Sequence, residues 1–140
     1  MTFEIVNPRS LGEPKGWSNG LLAPAGGRLL FVAGQAGWEE EAAGEPLDFA
    51  AQFVRALDKV LAVIAEAGGR PQDLARLTIY VTDLAAYRAA RRAVGEAWRA
   101  RLGRFYPAVA LVEVKGLMDR GAMVEMEATA VIAGPSGGGA

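Results

Sequence analysis

A run of alternating residues near the C-terminal end, VEMEATAVI at 124–132, constrains the fold more than any other part of the chain. Alternation with period two sends neighbouring side chains to opposite faces of a β-sheet. One face is then a continuous apolar row, made of Val124, Met126, Ala128, Ala130 and Ile132. The other face carries two carboxylates, Glu125 and Glu127, which a packed core would exclude. The run therefore predicts a strand with one side on the core and the other side either in water or in a site.

Hydrophobic periodicity and turn residues divide the rest of the chain into strands and helices. The predicted elements are strands at 3–6, 17–23 and 28–34, a helix from 46 to 67, a strand at 74–81, a helix at 84–102 and two strands within 106–132. The tight turn at Gly26-Gly27 predicts that residues 17–34 form a β-hairpin. Asp48 and Asp83 precede the two helical patterns, as N-caps do, and glycines follow both patterns.

The order β-β-β-α-β-α-β-β predicts an α/β (α+β) fold, with one mixed sheet and two helices packed on one of its faces. Residues 1–133 are expected to form a single domain, because 140 residues suit one core. The Gly/Ser-rich segment 134–140 has too few apolar groups to pack and is expected to be disordered.

The face of the sheet opposite the helices is predicted to be too apolar for water. Its expected apolar residues are Leu29, Phe31, Val109, Leu111, Met123 and Val131. A closed homo-oligomer would cover them and would leave pockets between subunits, with Glu125 near the interface.

The chain contains no cysteine and no histidine. Disulfides, zinc and iron–sulfur sites, thiol nucleophiles and Ser–His relays are therefore excluded. A metal site would need carboxylates alone, from Glu39–Glu41 or from Glu125 and Glu127, and neither a metal nor a cofactor is expected. Acid–base chemistry is left to Asp, Glu, Tyr, Lys or a bound water.

The net charge of −1 argues against nucleic acid as a partner. The arginines between Arg88 and Arg104 form a local basic patch or a solvated helix face. No apolar run is long enough for a membrane helix, and no signal-peptide pattern is visible, so a cytoplasmic protein is expected.

Five segments, taken in their order along the chain, resemble one known family. They are FVAGQAG at 31–37, AEAGG at 65–69, LTIYVTDL at 77–84, YPAVALVEV at 106–114 and VEMEATAVI at 124–132. Together they are similar to the RidA family, also called YjgF or endoribonuclease L-PSP. The resemblance implies a chorismate-mutase-like fold and a homotrimer with three clefts between subunits. The best-known members hydrolyse enamines and imines to keto acids and ammonia, whereas others are described as translation inhibitors or ribonucleases.

The resemblance also implies roles for single residues in the cleft. Glu125 matches the carboxylate that positions the attacking water. Trp17 matches an aromatic that is usually tyrosine, and Ala33 matches a strand serine whose hydroxyl is absent here. Arg91 matches approximately a helix asparagine.

The decisive departure lies after Pro107-Ala108, where deaminating members carry Arg-Ser and this chain carries Val109 and Ala110. That arginine makes a bidentate contact with the substrate carboxylate, which valine cannot replace. The chain is therefore expected to be a divergent member, and the archetypal activity does not follow from the resemblance.

Two functions of different class remain open, and with them the question of whether the chain is an enzyme. In the first, the cleft binds a small anionic or planar metabolite with Glu125 as a general base, Trp17 as a platform and Arg91 as a substitute cation. In the second, the protein is a non-catalytic trimeric binding or regulatory module, of the translation-inhibitor or RNA-interacting type. Glu125 would then pair with an arginine of a neighbouring subunit, Trp17 would plug an interface, and Arg91 would be solvated.

Overall fold

The computed structural model describes residues 2–38 and 47–134. The strands are β1 (Glu4–Val6), β2 (Gly20–Leu22), β3 (Arg28–Ala36), β4 (Leu74–Val81), β5 (Ala108–Glu113) and β6 (Val124–Ile132). The helices are α1 (Phe49–Glu66), α2 (Leu84–Ala89) and α3 (Arg91–Leu102). The carboxylates of Glu39–Glu41, the predicted helix start at Pro46 and residues 135–140 of the tail lie outside the described residues.

The main sheet has the strand order β3-β6-β4-β5. β6 pairs antiparallel with both β3 and β4, and β4 pairs parallel with β5. The sheet is therefore mixed, which confirms the predicted α+β class. The central position of β6 explains its alternation, since both of its long edges are hydrogen-bonded and one of its faces is covered.

The core lies between the inner face of this sheet and the helices. The predicted apolar row of β6 is buried throughout: Val124, Met126, Ala128, Ala130 and Ile132 are each at most 7% exposed. α1 contributes Phe53, Leu57, Val60 and Ile64, and α3 contributes Val94, Trp98 and Leu102. Burial of these side chains is the main stabilising contribution to the fold, at roughly 25 cal/mol per Å² of apolar surface.

The helix ends are fixed by the predicted residues. Asp48 accepts a hydrogen bond from the Ala51 amide at 2.8 Å, and Asp83 accepts from the amides of Ala85 and Ala86. Gly68 has a φ of 85°, the left-handed conformation that ends α1 without a Cβ clash. These observations confirm both predicted N-caps and the predicted glycine at the C-terminal end of α1.

The helix expected over 84–102 is divided at Ala90. The Ala90 amide donates to the carbonyl oxygens of both Ala86 and Tyr87, at 3.1 and 3.0 Å, which tightens the turn between α2 and α3. Neither glycine nor proline marks this position in the sequence, so periodicity alone predicted one continuous helix.

The predicted hairpin over 17–34 is wrong. β2 pairs antiparallel with β1 in a separate two-stranded sheet, and β3 pairs with β6 instead. The turn at Gly26 is present, with a φ of 86°, but the strands on its two sides belong to different sheets. The two predicted strands within 106–132 are present as β5 and β6, and β4 lies between them in the sheet.

The uncovered face of the main sheet is less apolar than predicted. Leu29 and Phe31 are exposed on it, at 63% and 74%. Val109 and Leu111 instead pair in register with the buried Leu77 and Ile79, so they lie on the helix side and pack against the core. Met123 also packs against the core, and Val131 is buried. β5 is apolar at almost every position, so its alternation does not reveal which residues face inward.

No helix of the described residues is long and apolar enough to cross a membrane.

Candidate functional site

Glu125 lies on the uncovered face of the sheet, half-buried, in register with Ala36 on one side and Tyr80 on the other. The neighbouring strand makes room for its carboxylate at Gly34. A Cβ built on Gly34 would lie 3.0 Å from both Cδ and Oε1 of Glu125. The absence of a side chain at position 34 therefore lets the carboxylate lie against the backbone of β3.

A β-bulge in β3 includes both Gly34 and the neighbouring Ala33. The register with β6 shifts between Val32 and Gln35, a distortion that re-aims side chains near functional sites. The Gln35 side-chain amide donates to the Ala33 carbonyl at 3.1 Å and so stabilises the bulge. Ala33 itself is exposed, and its methyl side chain offers no polar group to a ligand.

Tyr80 is a polar residue of this face that the sequence reasoning missed. Its hydroxyl donates to Glu127 Oε2 at 2.9 Å, next to Glu125. That hydrogen bond, with smaller contributions from desolvation and from the negative charges of Glu127 and Glu125, raises the pKa of Tyr80. The signal was available, because Tyr80 has the strand parity opposite to the buried Leu77 and Ile79.

We expect Glu127→Gln to lower the pKa of Tyr80 towards its ordinary value, because the mutation removes the charged acceptor. A raised pKa means that the folded state holds the neutral phenol more tightly than the unfolded chain does. The Tyr80–Glu127 pair therefore stabilises the fold below the ordinary tyrosine pKa, and this contribution is lost as pH rises through the folded value. Ultraviolet titration of tyrosinate measures the shift. The control Glu66→Gln should give the same titration curve as wild type. If Glu127→Gln also gave the wild-type curve, Glu127 would not be the cause of the raised pKa of Tyr80.

The N-terminal segment carries Trp17 to the start of β5. The Ser18 amide donates to the Pro107 carbonyl at 3.0 Å, and its hydroxyl donates to the Tyr106 carbonyl at 2.6 Å. The stacking of Phe3 on Phe105, with ring centroids 6.2 Å apart, ties the first residues to the same loop. Trp17 is 42% exposed, and its indole N–H donates to Asn19 Oδ1 at 3.1 Å.

A cavity of about 380 Å³ lies between this segment, α2, α3 and β5, on the helix side of the sheet. It brings together three of the sequence-predicted site residues: Trp17, Arg91 and Val109. Ala110 lies with Trp17, Val109 and Arg76 along a second, shallower groove of about 260 Å³.

Within one chain, these residues form two separate groups. Glu125 and Ala33 occupy the β3–β6 side of the sheet, whereas Trp17, Val109 and Ala110 occupy the β5 edge. β4 separates β5 from β6, which corresponds to about 10 Å between strand axes. Arg91 lies on the helix side and does not meet Glu125 in the same cavity. In the described part of the chain, no three Asp or Glu side chains are grouped as metal ligands.

The chain is similar to proteins of known family. A family model described as endoribonuclease L-PSP matches residues 14–132. The 2-iminobutanoate/2-iminopropanoate deaminase of Escherichia coli K12 is 32% identical over 105 residues, covering 75% of this chain and 80% of that protein. A RutC family protein of Pyrococcus abyssi is 32% identical over 106 residues, covering 74% and 79%. Among solved structures, the Rid family protein YyfB of Yersinia pestis superposes with a TM-score of 0.78 at 27% identity, covering 94% of this chain and all of that one.

Proposed function

The chain belongs to the endoribonuclease L-PSP family, which includes RidA and YjgF, and on this premise we propose that it binds a small metabolite in a cleft between the subunits of a homotrimer. We propose further that it hydrolyses an imine or enamine there. The observation that carries the proposal is the position of Glu125: a carboxylate on the uncovered sheet face, half-buried against the backbone at Gly34.

The separation of the site residues within one chain supports the oligomeric part of the proposal. Glu125 and Ala33 lie apart from Trp17, Val109 and Ala110, so a complete cleft needs the first group of one subunit beside the second group of another. The exposed side chains of Leu29, Phe31 and Val112 on the same face favour such burial. Light scattering that gives a monomer would overturn this part.

The proposed reaction adds one water to the substrate and releases ammonia. The water oxygen attacks the carbon of the C=N bond while the Glu125 carboxylate accepts a proton from that water. The proton then passes to the substrate nitrogen, which becomes the amino group of a tetrahedral carbinolamine. Glu125 next transfers the hydroxyl proton of the carbinolamine to the same nitrogen, and the C–N bond breaks to release ammonia as the C=O bond forms. A general base in this role typically contributes a factor of about 10² to 10⁴ in rate.

The residue at position 109 sets how well a 2-imino acid is held. Val109 offers no hydrogen bond to a carboxylate, so a small 2-imino acid should be positioned poorly and turned over slowly. The relative from E. coli is named for such substrates. The substrate of this chain would then be anchored by other groups of the cleft.

We expect Val109→Arg to increase the rate of ammonia release from freshly generated 2-iminobutanoate by about 10- to 100-fold, the value of one charge-assisted bidentate contact. Val109→Lys is the matched control, since it adds the charge without the planar fork, and it should recover less of the rate. No release above buffer from wild type and Val109→Arg at high protein concentration would overturn the deaminase proposal. That result would favour the alternative, a non-catalytic trimeric binding or regulatory protein.

A further inference from the structure

The cavity on the helix side has an apolar floor. Phe53, Ile79, Val94 and Trp98 line it and are each at most 8% exposed. The half-buried Val109 and Leu111 continue this surface along β5. The indole N–H of Trp98 is already bonded to the Phe105 carbonyl at 3.2 Å, so the floor presents no free donor from that ring.

Aromatic side chains form a large part of the cavity lining. Trp98 and Tyr106 stack with ring centroids 6.5 Å apart and an angle of 7° between their planes. Tyr87 and Trp17 also line the cavity. Planar apolar groups bind well against such surfaces, because they bury large areas and stack in offset arrangements.

The rim of the cavity is positively charged. Lys15, Arg91 and Arg99 line it and are exposed, and the part of its lining that the structure describes contains no carboxylate. Arg91, Gly95 and Arg99 follow one face of α3 at helical spacing, over about 12 Å. A Cβ on Gly95 would lie 3.3 Å from Arg99 Nη1, so the glycine lets this guanidinium lie close over the helix at the cavity.

We infer that this cavity binds a planar aromatic monoanion, with its ring on the apolar floor and its carboxylate at the Lys15–Arg91–Arg99 rim. The volume of about 380 Å³ lies in the range of small-molecule sites. The orientation follows from the chemistry: the floor at Val109 can accept only the apolar end, and the rim can neutralise the carboxylate. The inference deepens the proposed function by naming the ligand class of the metabolite site on the Trp17–Val109 side, and it rests on that function.

The test uses indole-3-acetate as probe and the full chain, with binding measured by calorimetry. The neutral amide indole-3-acetamide reports on the charge requirement, and 2-oxobutanoate, a carboxylate without a ring, reports on the apolar floor. We expect indole-3-acetate to bind at least about tenfold tighter than either control, with an affinity that falls as salt is added. Equal binding of the amide, or no saturation at millimolar probe, would overturn the inference.

Two double variants localise the charge requirement. Arg91→Ala with Arg99→Ala should raise the Kd for indole-3-acetate about tenfold, by loss of two exposed ion contacts. Arg88→Ala with Arg92→Ala removes the same charge from neighbouring positions that do not line the cavity, and should change the Kd less than twofold, about the scatter expected for distant surface sites. Equal losses in the two variants would overturn the site, since only general attraction to the arginine-rich segment would then remain.

A third variant tests whether binding needs the free volume of the cavity, and it leaves the charges of the rim unchanged. Gly95→Leu should abolish binding by filling the cavity, while the helix accommodates leucine well. Undiminished binding by this variant would overturn the location. The binding assay is separate from ammonia release, so the inference and the deaminase proposal can fail independently.

Discussion

Glu125→Gln is expected to reduce ammonia release from 2-iminobutanoate by about 100-fold or more, because an amide cannot accept the proton of the attacking water. The effect should appear in kcat, measured both in the wild-type chain and in the faster Val109→Arg background. The substitution keeps the shape of the side chain, which lies against the backbone at Gly34. The thermal stability of the variant should therefore stay close to that of the parent.

Glu127→Gln is the matched control for this experiment. Glu127 lies two residues along the same strand and on the same face, and it accepts the hydrogen bond of Tyr80. It has no place in the proposed reaction, so its replacement should change kcat less than about threefold, well below the effect of a general base. If the two variants lost activity equally, or if Glu125→Gln kept full activity, Glu125 would be a structural residue instead.

Gly37→Ala is expected to destabilise the fold by about 3 kcal/mol, at the upper end of the usual cost of overpacking. A Cβ at this buried position would lie 2.2 Å from the carbonyl oxygen of Gln52 and 2.8 Å from its Cα. These are backbone atoms of α1, so no side-chain rotation relieves the clash. The Gly37 amide is also bonded to the Val124 carbonyl at 2.9 Å, which holds β3 in place from the other side.

The close approach of Gly37 to Gln52 occurs where three elements meet: the end of β3, α1 and the start of β6. The buried Gln52 side chain accepts from the Met123 amide at 2.7 Å and donates to the Gly121 carbonyl at 3.0 Å, so α1 is tied to the start of β6. Displacing α1 to admit a methyl group would strain those bonds as well. A loss of about 3 kcal/mol is a large share of the stability of an ordinary domain.

Thermal or urea unfolding at fixed protein concentration measures this effect. Gly116→Ala provides the control, since nothing lies within 4 Å of a Cβ built there, and it should stay within about 0.5 kcal/mol of wild type. Equal stability of the two alanine variants would contradict the close approach of α1 to β3.

Local patterns predicted most of the elements. β4 spans the predicted residues 74–81, and both aspartate caps have their predicted roles because capping depends only on residues within one turn. The resemblance to the RidA family was confirmed by the match over residues 14–132. The position of Glu125 away from the core was predictable too, since the alternation of β6 is unbroken from Val124 to Ala130.

Pairing between strands was not predictable in the same way. The turn at Gly26 suggested that β2 and β3 were partners, but a turn only reverses the chain, and the partner of each strand depends on contacts distant in sequence. The cationic rim was missed for a similar reason. Lys15 and Arg99 are far apart in the chain, and only the docking of residues 15–18 on Tyr106 and Pro107 brings them to one cavity.

The sequence by itself determined which side chains of a strand share a face, because period two is a property of the extended backbone. It therefore separated Glu125 and Glu127 from the apolar row of β6. Only the tertiary structure decided which face of β5 meets the helices, because that strand is apolar on both sides and either phase buries similar groups. The pairing of β5 with β4 determines which face of β5 meets the helices, and it directs Val109 into the cavity that Arg91 also lines. The alternation alone had predicted Val109 on the open face.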